Sequence, residues 1–384
     1  MEQHFDFEEI RPYRDNEING VLMELTKEPK LLALLPRLFP TIPSNKLIEN
    51  LQKIDNIFDF QKQIIGTFLK ELADKTTNGV EIKGDENVTK SKAYLFISNH
   101  RDIILDSAYL NYKLLSIDMA LTEIAIGDNL LITPWIKALV RLNRSFIVQR
   151  DVPVRQMLDI SKRLSAYIRH TIVERNQSIW IAQREGRAKD SNDRTQEALL
   201  KMFNMSGHHS IIENLKKLSL CPLTISYEYD PCDYLKAKEF QQKRDNGDYK
   251  KGQQDDLLNM TIGIQGFKGH IVYYMNGNID QELDAIANQT SSKIEQIALI
   301  AKLIDKRIHS HYEIYPGNKV AYDLLLNTNA FASEYNEKEK STFEAYLQKQ
   351  LDKIDLPNKD ESFLRTKILE MYANPLINKL KAEK

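Results

Sequence analysis

The sequence predicts an α/β fold: a mostly parallel or mixed central sheet flanked by helices, with an N-terminal helical segment and a helical C-terminal region. Three observations lead there. Short apolar runs alternate with helical stretches from residue 93 to about 228, and that alternation indicates a sheet with helices on its faces. Before that span, apolar residues recur mostly at three- and four-residue steps through Ile48, Leu51, Ile54, Ile57, Phe58, Ile64 and Phe68, the spacing of one helix face. Beyond Asp280 the chain again reads as helical, with a break at Tyr315-Pro316-Gly317. The expected organisation is a helical segment over 1–85, an α/β domain over 86–284 and a helical region over 285–384.

Taken in order, residues 15–78 are expected to be helical, and Pro36, Pro40 and Pro43 should divide them into separate helices. That stretch ends in the turn-rich KTTNGVEIKGDEN. Strands are expected at 93–98, 117–123, 144–150, 178–184 and 220–228, each a short apolar run suited to burial on one or both faces. Helical patterns lie between them at 103–114, 134–143, 153–176 and 194–218. The segment 260–275, MTIGIQGFKGHIVYYM, reads as a long antiparallel pair turning around Gly266–Gly269.

Composition narrows the function. The 384 residues are 42% hydrophobic and 28% charged, an ordinary globular balance. With 53 Lys+Arg against 54 Asp+Glu there is no general attraction to nucleic acid, so none is expected as a partner. Cys221 and Cys232 can form neither a disulfide framework nor a zinc site by themselves. The N-terminal MEQHFDFEEIRPYRD lacks the apolar core of a signal peptide, and no apolar run reaches the roughly 18 residues of a membrane span.

Three strand ends carry chemistry. The first runs into Ser98-Asn99-His100-Arg101-Asp102-Ile103-Ile104-Leu105-Asp106. A histidine at the carboxyl end of a buried strand stands where open α/β sheets bind ligands. It is the side chain suited to take a proton near neutral pH, with a carboxylate to fix its tautomer. The second strand delivers Arg150 and the third delivers Glu185-Gly186-Arg187. Arginine there can clamp phosphate or carboxylate oxygens through paired hydrogen bonds, and Gly186 permits a positive backbone dihedral or close approach of a ligand. Each segment alone is equally compatible with a solvated turn, and Asp102 alone with a helix N-cap.

The order of the segments says more. Asn-His followed by Asp, then Phe-Ile-x-x-Arg, then Glu-Gly-Arg, then the strand opening Cys221-Pro222 resembles the four blocks of the glycerolipid acyltransferase superfamily. The likeness is to bacterial 1-acylglycerol-3-phosphate and glycerol-3-phosphate acyltransferases, and it covers about residues 86–230. Two turns depart from the pattern. His100 and Asp106 enclose five residues, one more than is usual, and Arg187 follows Gly186 directly instead of one residue later. An extra helical residue rotates a side chain by about 100°, which leaves both Asp106 and Asp102 as candidate partners of His100.

The resemblance implies acyl transfer from acyl-carrier protein or acyl-CoA to a hydroxyl of a glycerol phosphate or lysophosphatidate. His100 is then the general base, oriented by Asp106, while Arg150, Glu185, Gly186 and Arg187 bind the acceptor and its phosphate. No cofactor or metal is implied. The pair His309-x-His311 is read as structural or surface. A cytoplasmic enzyme, peripheral on the inner face of the plasma membrane, is expected to meet an anionic membrane surface. Lys137, Arg141 and Arg144 share one face of the stretch 134–144 beside Trp135 and Ile136, a basic amphipathic pattern suited to lipid headgroups. A core-facing helix is the competing reading of that stretch, and LLALLPRLFP at 31–40 is a weaker membrane candidate. The alternatives are an O-acyltransferase for an amino-acid-containing lipid and a non-catalytic lipid- or acyl-carrier-binding protein on the same fold.

Overall fold

The structure, a computed structural model, describes residues 5–131, 133–150 and 152–384. Seven strands form one sheet: β1 (Gly79–Lys83), β2 (Leu95–Ser98), β3 (Glu123–Gly127), β4 (Ser145–Val148), β5 (Ile179–Ala182), β6 (Leu220–Tyr227) and β7 (His270–Met275). Their order is β1-β7-β6-β2-β5-β3-β4. Every neighbouring pair is parallel except β6 and β7. Strands β2 to β6 therefore all end at one edge of the sheet, and the three chemistry-bearing segments leave from that edge.

Side chains alternate across the pleat. Leu95 and Ile97 of β2 join one buried cluster with Ile179 and Ile181, and Phe96 joins another with Trp180, Leu223 and Ile225. The first face is covered by α8 (Val154–Arg169), α9 (Glu197–Phe203), α10 (Ile211–Lys217), α13 (Asp280–Gln289) and α14 (Lys293–Ser310). The second is covered by α5 (Gly66–Thr76) and α6 (Leu105–Ser116). With both faces covered, all four residues of β2 are buried.

The N-terminal segment folds as α1 (Asp15–Leu25), α2 (Pro29–Leu38), α3 (Ser44–Lys53) and α4 (Ile57–Asp59), which continues through a π-helical stretch, Phe60–Ile65, into α5. Pro40 and Pro43 separate α2 from α3 as expected, whereas Pro36 lies inside α2 without ending it. The bundle closes on α7 (Pro134–Leu142), whose Leu142, Leu139 and Trp135 join its core. The basic face expected on 134–144 is consequently taken apart. Arg141 donates to the carbonyls of Arg11 and Glu8 and lies over the Tyr13 ring at 4.3 Å. Arg144 turns toward the carbonyls of Leu121 and Thr122, and of the three cations only Lys137 is exposed. Among the described residues no helix is long and apolar enough to cross a membrane.

Strands β2, β4, β5 and β6 fall within two residues of the expected positions. Four other expectations are corrected. The stretch 117–123 is mostly a turn, with Asp118 at φ 58°, and β3 begins only at Glu123. Its Met119 and Leu121 are buried from a loop, held by Asn111, whose side-chain oxygen accepts from the Thr122 N–H and hydroxyl at 2.8 and 2.9 Å. β1 lies in the stretch read as turns. The 260–275 pair is instead the end of α12 (Gln253–Gln265), which follows α11 (Asp233–Asp245), and then β7. Helix wins over strand because Asp255 caps the first turn at 2.8 Å and the buried Lys268 ammonium takes the open carbonyls of Ile264 and Gly266 at 3.0 and 2.6 Å. The expected helix over 194–218 is two short ones, α9 and α10. The C-terminal α15 (Pro316–Leu326), α16 (Glu337–Asp352) and α17 (Glu361–Ala382) share a core with α11, and Pro316 stands at the start of α15, where a proline costs no hydrogen bond.

Candidate active site

β2 stops because of Asn99. Its buried side chain donates to the Ile225 carbonyl at 2.8 Å and accepts from the Ile225 N–H at 2.9 Å, replacing the next pair of strand rungs. The chain then turns, and Asp102 caps α6, its Oδ1 accepting from the N–H groups of Ile104 and Leu105 at 2.9 and 2.8 Å. Burial, and after it the neighbouring Asp106, push the Asp102 carboxyl above the usual carboxylate range.

This turn settles which acid faces His100. Oδ2 of Asp106 lies 2.7 Å from His100 Nδ1 and accepts from the N–H groups of Arg101 and Asp102 at 2.6 and 3.1 Å. Asp106 itself is fully buried. The five intervening residues are accommodated because the turn wraps its own amides around the carboxylate. An ionised carboxylate only accepts, so Nδ1 carries the proton and Nε2 is left as a lone pair. The imidazole lines the cavity and meets Trp180 edge-on at 5.7 Å, and the Trp180 indole N–H donates to Ser98 Oγ at 3.0 Å.

That cavity has a volume of about 1470 Å³, more than the roughly 300–1,000 Å³ of a usual small-molecule pocket. One part is apolar and runs into the N-terminal bundle, lined by Leu22, Leu25, Leu35, Phe39, Leu51 and Phe68. The part beyond the sheet edge is polar, with Arg150, Arg184, Arg187, Lys189, Lys243 and Lys251 against Glu185, Asp190 and Asp256.

The arginines reach this one cavity without meeting each other. Arg150 pairs with Glu185 at 3.0 Å, crossing close over Gly127, where a Cβ would lie 2.5 Å from its Nε. Arg187 donates to Asn259 Oδ1 at 3.0 Å, and its Nη1 is buried without a hydrogen-bond partner among the described residues. Gly186 sits at φ 68°, the positive dihedral expected of it. His309 and His311 lie apart from the cavity. Burial pushes His309 down to about 4, its Nε2 lies 3.1 Å from the Asp193 carbonyl, and His311 stacks on Tyr274 at 4.2 Å.

Sequence reasoning missed helix α12 as a wall of the site. Leu257, Met260 and Ile264 line the cavity, Asn259 meets Arg187, and Gly263 lies against Asp102. Reading 260–275 as a strand pair hid Met260, Gly263 and Ile264, and Leu257 and Asn259 lie just before it. The apolar spacing of the N-terminal helices was visible, but a helix face does not reveal whether it encloses a solid core or a hollow one.

Residues 79–226 match the family model described as Acyltransferase. No curated protein matches the chain. Among solved structures it is similar to the 1-acyl-sn-glycerophosphate (LPA) acyltransferase PlsC from Thermotoga maritima, with 13% identity and a TM-score of 0.35 over 76% of this chain and 95% of that one. The matched span holds the His100–Asp106 pair, Arg150 and the Glu185-Gly186-Arg187 turn, and over those residues the chain is similar to the acyltransferase family.

Proposed function

We propose that the enzyme moves a fatty acyl group from acyl-carrier protein or acyl-CoA to a hydroxyl of glycerol phosphate or lysophosphatidate, with His100 as general base. The observation that carries this reading is the 2.7 Å contact of His100 Nδ1 with buried Asp106, which leaves Nε2 available to a ligand in the cavity. Nε2 takes the proton of the acceptor hydroxyl as its oxygen attacks the thioester carbonyl carbon. The tetrahedral adduct then collapses, the carbon–sulfur bond breaks, and the imidazolium returns the proton to the leaving thiolate. Asp106 holds the ring and stabilises its charged form during these steps. The partnerless Nη1 of Arg187 is suited to an acceptor phosphate, and Arg150 with Glu185 lines the approach.

The apolar part of the cavity supports a long acyl chain as the transferred or resident group. A lipid acceptor also favours a peripheral enzyme at an anionic membrane surface on the inner face of the plasma membrane, needing no cofactor beyond its donor. A non-catalytic binding protein has no use for an oriented base, and an acceptor bearing a carboxylate in place of phosphate would meet the same arginines.

Thiol release from acyl-carrier protein and acyl-CoA thioesters, followed with glycerol 3-phosphate, lysophosphatidate and an amino-acid lipid as acceptors, tests the reading. Acceptor-dependent release is expected, falling about 10²–10⁴-fold in His100→Ala. Near-normal release in the folded variant overturns the mechanism, and release independent of any acceptor makes the protein a thioesterase.

A further inference from the structure

Beneath the catalytic turn, a buried ion pair joins two segments of the site that the reaction itself does not touch. Arg101 Nη1 lies 2.8 Å from Asp193 Oδ2, with side chains 6% and 1% exposed. Tyr312, just beyond α14, donates to the same Asp193 oxygen at 2.9 Å and accepts from Arg101 Nη2 at 3.2 Å. Arg101 is the residue after His100, and its own N–H is the 2.6 Å donor to Asp106. Asp193 belongs to the loop that carries Arg187.

That loop is closed at its neck and fastened below. The Glu185 N–H donates to Gln196 Oε1 at 2.8 Å, and the Gln196 N–H donates to the Gln183 carbonyl at 2.9 Å. Asn374 of α17 donates to the Asp190 carbonyl at 2.7 Å. Asp305 of α14 accepts from the Thr195 N–H and hydroxyl at 2.8 and 2.7 Å. These fastenings come from helices that lie outside the matched span of 79–226.

We propose that Asp193 is a positioning residue: it registers the loop bearing Arg187 against the turn bearing His100, and the C-terminal helices hold it in place. The inference rests on the reading of His100 as base and Arg187 as the acceptor's anion ligand. Physically, a buried charge pair resists separation, because parting the two leaves each uncompensated in a poorly solvated site. The loop and the turn therefore move together or not at all. A catalytic histidine and a phosphate-binding arginine on separate loops need that, since small misplacement of a bound hydroxyl is costly to rate.

The test uses the full chain with Asp193→Asn, which keeps the shape and removes the charge. Amide hydrogen exchange is expected to quicken in 101–106 and in 184–192 together, with the N-terminal bundle unchanged. In the same variant the acceptor KM should rise about tenfold while the donor KM stays within about twofold. Loosening confined to 193–195 and 305–312, with both KM values unchanged in the folded enzyme, overturns the proposal and leaves the pair a packing feature. If Asp193→Asn does not fold, Tyr312→Phe removes one hydroxyl alone, and the same paired loosening is expected on a smaller scale. Loosening of only one of the two segments there also overturns it. Exchange does not depend on turnover, so a parent enzyme that transfers no acyl group to any acceptor would refute the functional reading while registration is still decided by exchange.

Discussion

Gly263 of α12 lies directly against the carboxylate of Asp102: a Cβ built on it would stand 2.1 Å from Oδ2. Asp102 cannot swing aside freely, because its other oxygen holds two amides of the α6 cap. The residue that caps α6 and the helix that walls the cavity are thus in contact through a position where only glycine fits.

Gly263→Ala is therefore expected to destabilise the protein and lower turnover at least about tenfold. Inside a helix the same change ordinarily stabilises by about 0.5–1 kcal/mol, so the signs of the two effects are opposite. Thermal melting and turnover of the purified variant decide between them, and a stabilised, fully active protein would show that α12 can withdraw.

Asp106→Asn should reduce turnover far more than Asp102→Asn. Asp106 accepts from His100 and two backbone amides through one oxygen, and an amide in its place can keep that acceptor but loses the negative charge that stabilises the protonated imidazole. Asp102 acts as a helix cap, a position where asparagine serves about equally well. We expect a loss of about a hundredfold or more against less than about tenfold, measured at matched fraction folded. The reverse ranking would make Asp102 the working partner of His100.

Arg187→Lys is expected to raise the acceptor KM by about ten- to a hundredfold, because lysine keeps the charge and loses the planar fork. Arg150→Lys should have a smaller effect, since Arg150 already pairs with Glu185 and leaves a strand separated from β2 by two others. Steady-state kinetics with donor and acceptor varied separately checks the order. Effects confined to the donor KM would assign these arginines to the acyl carrier instead.

Stability should also depend on pH through Asp233. Burial, followed by nearby Asp230, pushes its carboxyl up to about 7, although the hydroxyls of Tyr346 and Tyr372 donate to it. The native state then holds a proton that the unfolded chain, with a carboxyl near 3.9, gives up earlier. The contribution is full below about pH 4, is lost as pH rises to about 7, and is flat above. Comparing melts of the parent and Asp233→Asn from pH 4 to 8 should show the variant gaining relative stability across that window. A difference constant with pH would mean that Asp233 titrates normally.

How much was legible depended on how local each feature is. Strands β2, β4, β5 and β6 could be placed because a short apolar run and the turn after it are written in consecutive residues. β1 could not, since Gly79–Lys83 is an edge strand with no buried residue and lacks the apolar run that marks a covered strand. Lys137 and Arg141 do lie on one helix, α7, while Arg144, expected on the same face, stands past its end at φ 58°, and which way the helix faces depends on what packs there. The N-terminal bundle covered it, and Arg141 was drawn to backbone carbonyls 130 and 133 residues away in sequence.

The sequence by itself determined the strand-and-turn order and put His100, Arg150 and the Glu185-Gly186-Arg187 turn at strand ends, because side-chain periodicity and turn chemistry act over a few residues. It also narrowed the partner of His100 to Asp102 or Asp106, both on the same short segment. Only the tertiary structure decided between them, since the choice rests on how the turn wraps its amides around one carboxylate. Only the tertiary structure brought Asn259 to Arg187 and Gly263 to Asp102, and set Tyr312 against Arg101 across 211 residues of sequence. Such contacts follow the path of the whole chain, and a local pattern of apolar and polar residues records which face is buried but not what buries it.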